Sequence, residues 1–206
     1  MNGGPTRTVE LRSEGETLRA DLYGVLPAKR AVILCHGQSW EASGWRDIAP
    51  RFVARGVPAL AINFRGYGGS TGKTGKWTTV TDLASAKAWL KEQGAREIAL
   101  VGTSMGGHAV LGSSFDRDVE CVVSISAPVE PVEDALSKKV SGRKLFICAN
   151  EDSYGAAPHV LRSFDVCEPP KMLLMVAGTE HSRGLLSGPY GEEVIASTLD
   201  FVAGRA

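Results

Sequence analysis

Ile98 to Val110 reads IALVGTSMGGHAV. The apolar run Ile98-Ala99-Leu100-Val101 meets Gly102-Thr103-Ser104-Met105-Gly106, a G-x-S-x-G pattern, and a small-residue apolar segment follows. No other stretch restricts the fold so tightly. A strand that turns at once into a helix forces the corner residue into a strained backbone conformation. The residues two before and two after the corner must then be tiny, or side chains collide with the turn. Gly102 and Gly106 meet that need. Ser104 is left at the corner with its hydroxyl clear of the sheet. It stands at a helix N-terminus, where free N–H groups and the dipole stabilise a developing oxyanion. The same five residues also arise by chance, as a glycine-rich turn with an idle serine, so the rest of the chain has to decide.

Thr8 to Leu22 alternates apolar and polar residues around Glu14-Gly15-Glu16, which predicts an antiparallel hairpin with one buried face. Ala31 to Cys35 is apolar throughout and ends in His36-Gly37; Ala59 to Ile62 is another such run. Continuous runs fit strands buried on both faces, as in a parallel sheet. A helix is expected over about 45–55, with Pro50 near its start and Gly56 as its stop. Thr78 to Gln93 is the clearest helix, with Val80, Leu83, Ala86 and Leu90 on one stripe and Gly94 beyond its end. Further strands are expected at Val119 to Ile125, Lys144 to Ala149 and Met172 to Ala177. Pro158 to Phe164 lies in an expected helix, and Val194 to Val202 closes the chain as another. Strands alternating with helices imply one mostly parallel, twisted sheet of about eight strands, wrapped by helices on both faces. No repeat or linker interrupts it, so residues 1–206 read as a single α/β domain.

The composition narrows the partners. Formal net charge is zero, which gives no electrostatic reason to expect nucleic acid or an anionic membrane. No run of eighteen apolar residues suggests a transmembrane span, and MNGGPTRTVE carries no basic-then-apolar leader. Cys35, Cys121, Cys148 and Cys167 show no CxxC pairing. They are read as reduced, buried thiols of a cytoplasmic protein, not as a disulfide framework or a zinc site. The sequence implies no metal or organic cofactor and does not speak to oligomeric state.

In such a sheet, ligands bind beyond the carboxyl ends of the strands. The polar residues just past the apolar runs are therefore the candidates: His36-Gly37-Gln38, the loop at Arg65, Ser104, Glu151-Asp152, and Glu180-His181. A serine hydroxyl is a poor nucleophile unless an imidazole takes its proton, and the imidazole needs a carboxylate to hold its tautomer. The carbonyl under attack needs N–H donors for its oxyanion. The chain offers Ser104, His181 and Asp152, with the backbone N–H groups of Gln38 and Met105 as the oxyanion hole.

These motifs together make the chain resemble an α/β-hydrolase-fold serine hydrolase: His36-Gly37, FRGYGGS at Phe64 to Ser70, GTSMGG at the elbow, ANED at Ala149 to Asp152, and GTEH at Gly178 to His181. The resemblance covers nearly the whole chain. It implies Ser104 as nucleophile, His181 as base and Asp152, after the seventh strand, as the acid that orients the histidine. Ala149 and Asn63 depart from the family's usual Gly and Asp without touching those roles. Only Ser126 to Arg143 separates the sixth and seventh strands, room for one short helix and no cap domain. The chain is therefore similar to compact capless esterases and dienelactone-hydrolase-like proteins. The latter typically carry cysteine as nucleophile, where this chain has Ser104.

The expectation is a carboxylic ester hydrolase acting on small-molecule esters. Acyl transfer or perhydrolysis on the same triad is an alternative, as is a non-catalytic binding protein on the same fold. Trp40, Tyr67 and Tyr154 are candidate pocket residues, and Trp45 and Arg183 also lie just after functional loops; plain loop packing is the other reading of each. His36 reads as an anchor of the oxyanion loop, His108 as packing beneath the elbow, His159, Glu151 and Glu180 as surface residues, and Arg65 as pinning its own loop.

Overall fold

Apolar runs without alternation need cover on both sides, and the strands divide their side chains accordingly. In β3 (Arg30–Cys35) Ala31, Ile33 and Cys35 enter one core while Val32 and Leu34 enter the other. In β5 (Glu97–Thr103) Ile98 and Leu100 face the first core, Ala99 and Val101 the second. These come from a computed structural model that describes residues 5–75, 77–113, 118–127 and 141–205. With β1 (Arg7–Ser13), β2 (Glu16–Tyr23), β4 (Ala59–Ile62), β6 (Val119–Ile125), β7 (Arg143–Ala149) and β8 (Lys171–Val176), they form one eight-stranded sheet in the order β1-β2-β4-β3-β5-β6-β7-β8. Only β2 runs against its neighbours, pairing antiparallel with β1 and with β4.

The helices take the two faces. On the first lie α2 (Thr78–Glu92) through Leu83, Ala86 and Leu90, α3 (Met105–Gly112) through Ala109 and Val110, and α4 (Ala156–Val166) through Val160. On the second lie α1 (Ala49–Val53) through Phe52, α5 (Arg183–Ser187) through Leu185, and α6 (Gly191–Ala203) through Val194, Leu199 and Phe201. The single helix expected over 45–55 is divided. A 3₁₀ turn, Ala42–Trp45, comes first and α1 begins four residues later. Pro50 explains the restart, because a proline has no N–H to leave unsatisfied in a first turn but would clash with a turn preceding it. β6 ends at Ile125 and β7 starts at Arg143, which leaves no room for a cap domain. The short helix expected in that link falls on residues 128–140, outside those described.

Arg65 reaches well beyond its own loop. Asp82, fully buried on α2, accepts from the Arg65 backbone N–H at 2.9 Å and from Nε and Nη2 of its side chain at 2.9 and 2.7 Å. The Ser13 hydroxyl, at the end of β1, donates to the same carboxylate at 2.8 Å. One buried ion pair thus joins the hairpin, the loop after β4 and α2. Without Asp82 the largely buried Arg65 guanidinium loses its main counter-charge and keeps the exposed Glu14 carboxylate at 3.4 Å. Asp82→Ala is therefore expected to destabilise the fold by about 3–5 kcal/mol, read as a shift in the urea unfolding midpoint; a loss below about 1 kcal/mol would mean the pair is dispensable.

Candidate active site

Strand register gathers the candidate residues. Cys35 pairs with Gly102, Thr103 with Ile125, Ile125 with Ile147, and Ala149 with Val176. The parallel strands therefore end nearly level, and the loops that leave them meet along one edge. The chain departs from β3 toward β4 on one side and returns to β5 on the other. Loops that diverge in this way open a crevice between them.

Ser104 sits in that crevice at φ 51 and ψ −114, a left-handed region that serine rarely enters. Such strain costs of order 1–3 kcal/mol and persists only where the surroundings impose it. Here they do. The Ser104 N–H donates to Ile125 O at 2.8 Å, and its carbonyl accepts from the His108 N–H at 2.9 Å. A Cβ on Gly102 would collide with the Gly106 carbonyl, and one on Gly106 with the Cys35 carbonyl. The two glycines let α3 press against the ends of both central strands.

His181 Nε2 lies 2.9 Å from Ser104 Oγ, and His181 Nδ1 lies 2.9 and 2.8 Å from the two Asp152 oxygens. The Asp152 side chain is fully buried. Its Oδ1 also accepts from the backbone N–H groups of Tyr154 and Ala156 at 3.0 and 3.3 Å, the latter in the first turn of α4. The Cys148 thiol contacts Oδ2 at 3.7 Å, and burial pushes that thiol up to about 12. With both lone-pair faces engaged, Asp152 has one orientation. Glu151, its neighbour, is exposed and touches neither His181 nor Ser104 among the described residues.

His36 is wholly buried and faces two groups of opposite kind. Its Nδ1 lies 2.8 Å from the Gly37 carbonyl, an acceptor, and its Nε2 lies 3.2 Å from the Phe64 N–H, a donor. Only the neutral ring protonated on Nδ1 satisfies both. Burial holds the ring neutral by lowering its pKa to about 4, with the Gly37 carbonyl and Glu41 opposing that shift. His36 thereby fixes the start of the loop carrying Gln38. Among the described residues, nothing accepts from the backbone N–H of Gln38 or of Met105, so both donors remain free for a ligand.

Beside Ser104 and His181 opens a cleft of about 600 Å³, walled by Gln38, Ser39, Tyr154, Ser182 and Arg183. Tyr154 is 76% exposed and lays its ring 4.5 Å from that of His181. Trp40 and Tyr67, the other two candidate pocket residues, do not line it. The Tyr67 ring packs 4.7 Å from that of His36, underneath the loop. The Trp40 ring leans on Trp45 at 5.2 Å and its indole N–H donates to Ser182 Oγ at 3.3 Å. Aromatic rings in a loop go where apolar area can be covered, and here that is beneath the cleft floor.

Sequence reasoning misses Ser182. It is buried at φ 54, shares a 2.9 Å hydroxyl contact with Thr103, and joins the base loop to the elbow. Gly37 has no side chain because one would strike the Ser182 hydroxyl and the Trp40 indole. No local pattern announces a serine with positive φ, and α5, which it precedes, is five residues long and too short to show a period. Among the described residues no cluster of His, Cys, Asp and Glu is arranged to hold a metal.

The fold has parallels among solved structures. An esterase of Pyrococcus furiosus, Pf2001, superposes with a TM-score of 0.80 at 20% identity, covering 95% of this chain and 91% of that one. Est1E of Butyrivibrio proteoclasticus, solved with ferulic acid bound, gives 0.82 at 15% identity over 96% and 98%. Among curated sequences, an uncharacterised protein of Mycobacterium tuberculosis is 28% identical over 96 residues, 45% of this chain and 34% of that one. The chain spans about a third of the length of the curated relatives it matches. A model of the alpha/beta hydrolase family matches residues 32–198.

The neutral His36 makes a prediction about pH. Its pKa lies at about 4 in the folded protein against 6.5 for the free side chain. Between those values the unfolded chain binds a proton that the folded one refuses, so this contribution is intact above about pH 6.5 and is lost as pH falls toward 4. Unfolding midpoints across that window are expected to fall more steeply for the wild type than for His36→Gln. Parallel profiles would mean that His36 is protonated in the folded protein.

Proposed function

The chain belongs to the alpha/beta hydrolase family, and from that footing we propose that it is a serine hydrolase cleaving small carboxylic esters through an acyl-enzyme intermediate. The observation that carries this reading is the unbroken hydrogen-bonded line from Asp152 through His181 to Ser104. Ser104 Oγ attacks the ester carbonyl carbon while His181 Nε2 takes its proton. Asp152 holds the Nδ1 proton in place and balances the imidazolium that forms. The carbonyl oxygen, now an oxyanion, receives the Gln38 and Met105 N–H groups. Collapse of the intermediate breaks the bond to the alcohol, which leaves with the proton from His181. Water then adds to the acyl carbon with His181 again as base; the bond to Ser104 Oγ breaks, Oγ takes the proton back from His181, and the carboxylic acid leaves.

With no room for a cap domain between β6 and β7, the cleft favours short, soluble esters over long acyl chains. All four cysteines are buried and unpaired, which supports a reducing, cytoplasmic setting. Among the described residues no helix is long and apolar enough to cross a membrane.

A fluorophosphonate probe is expected to label the wild type and leave Ser104→Ala unlabelled, with ester turnover by that variant reduced on the order of 10⁶-fold. Asp152→Asn keeps the shape but favours the wrong imidazole tautomer, and about 10⁴-fold is the comparable loss in kcat. Glu151→Gln should change kcat by less than about tenfold, as for a solvated charge. An unlabelled wild type would move the chain to the non-catalytic class, and a crippled Glu151→Gln beside a normal Asp152→Asn would reassign the acid.

A further inference from the structure

The proposed ester chemistry uses no permanent cation, yet the cleft holds one. Arg183 opens α5, is exposed, and lines the cleft beside Ser104 and His181. Its guanidinium carbon stands 5.5 Å from the centre of the Trp40 ring, within the range of a cation–π contact. The platform beneath it is held firmly. Trp40 is fixed by Trp45 on one side and by the Ser182 hydroxyl on the other. Gly44 carries no side chain because the Trp40 ring and Arg183 Nη1 occupy the space one would need.

A long, flexible side chain is thus held at the rim while its donors stay unspent. Among the described residues, the Arg183 guanidinium makes no hydrogen bond or ion pair. Among the described residues, the cleft walls bring no carboxylate to neutralise it, since Gln38, Ser39, Tyr154 and Ser182 carry none. A guanidinium stacked on an aromatic face presents planar donors that match a carboxylate in a bidentate fork.

We propose that Arg183 is the specificity-determining residue of this site and that its substrates are small esters bearing a carboxylate on the acyl or the alcohol portion. The proposal rests on the ester-hydrolase reading above. The carboxylate does not react. It pairs with Arg183 and so aligns the scissile carbonyl over Ser104.

Two matched pairs of esters test it. On the acyl side, mono-p-nitrophenyl glutarate is compared with p-nitrophenyl pentanoate. On the alcohol side, p-carboxyphenyl acetate is compared with its methyl ester. The wild type should prefer the charged member of at least one pair in kcat/KM, and added salt should erode the preference through screening. Arg183→Gln should lower the charged-to-neutral ratio about tenfold, the size of one lost charge-assisted pair, and Arg183→Lys should recover part of it. Which pair responds tells which portion carries the anion. A ratio unaltered by Arg183→Gln in both pairs overturns the proposal, as does a wild type that prefers both neutral esters. If the wild type turns over no ester, the hydrolase reading has failed, and the anion site is then judged on binding alone. Glutarate, against sodium chloride of matched ionic strength, should raise the Tm of the wild type and not that of Arg183→Gln; equal shifts sink the site as well.

Discussion

The site is organised around a corner with no spare volume. Where β5 turns into α3, the Gly102 and Gly106 positions touch main-chain carbonyls so closely that neither tolerates a methyl group. That contact does two things at once. It forces Ser104 into its left-handed conformation, and it brings the N-terminus of α3 against the end of β3, from which the Gln38 loop departs. The chain carrying Gln38 thus leaves β3 beside the first turn of α3. A half-buried serine in a strained backbone conformation is a consequence of the same packing.

The two histidines around that corner differ in their hydrogen-bond partners. His36 is buried between an acceptor and a donor and stays neutral. His181, whose side chain is 10% exposed, faces a carboxylate on one nitrogen and a hydroxyl on the other. Two histidines at one sheet edge thus differ in what their two nitrogens meet.

Much of this is legible in the amino acids. The buried strands announce themselves as uninterrupted apolar runs, because a strand covered on both faces has no polar side to alternate with. Ser104, Asp152 and His181 stand out as the polar residues ending such runs, and the register of the sheet brings them together. The features that escape are those that depend on contacts distant in sequence. Nothing near Asp82 signals that it will be buried against Arg65, and nothing in Ser182 signals a positive φ. Trp40 and Tyr67 come after the right strands, but their side chains turn to cover Trp45 and His36. Which way a loop aromatic points is decided by the apolar surface available beneath it, and that surface exists only once the chain has folded. Arg183 lines the cleft for the same kind of reason, since its platform comes from residues well over a hundred positions earlier.

Asp152 holds two attachments through one group. The carboxylate that faces His181 also receives the amide of Ala156 and so serves as the first anchor of α4. A substitution at Asp152 therefore removes the partner of the His181 ring and a mooring of that helix together, so the two contacts cannot be adjusted independently of each other.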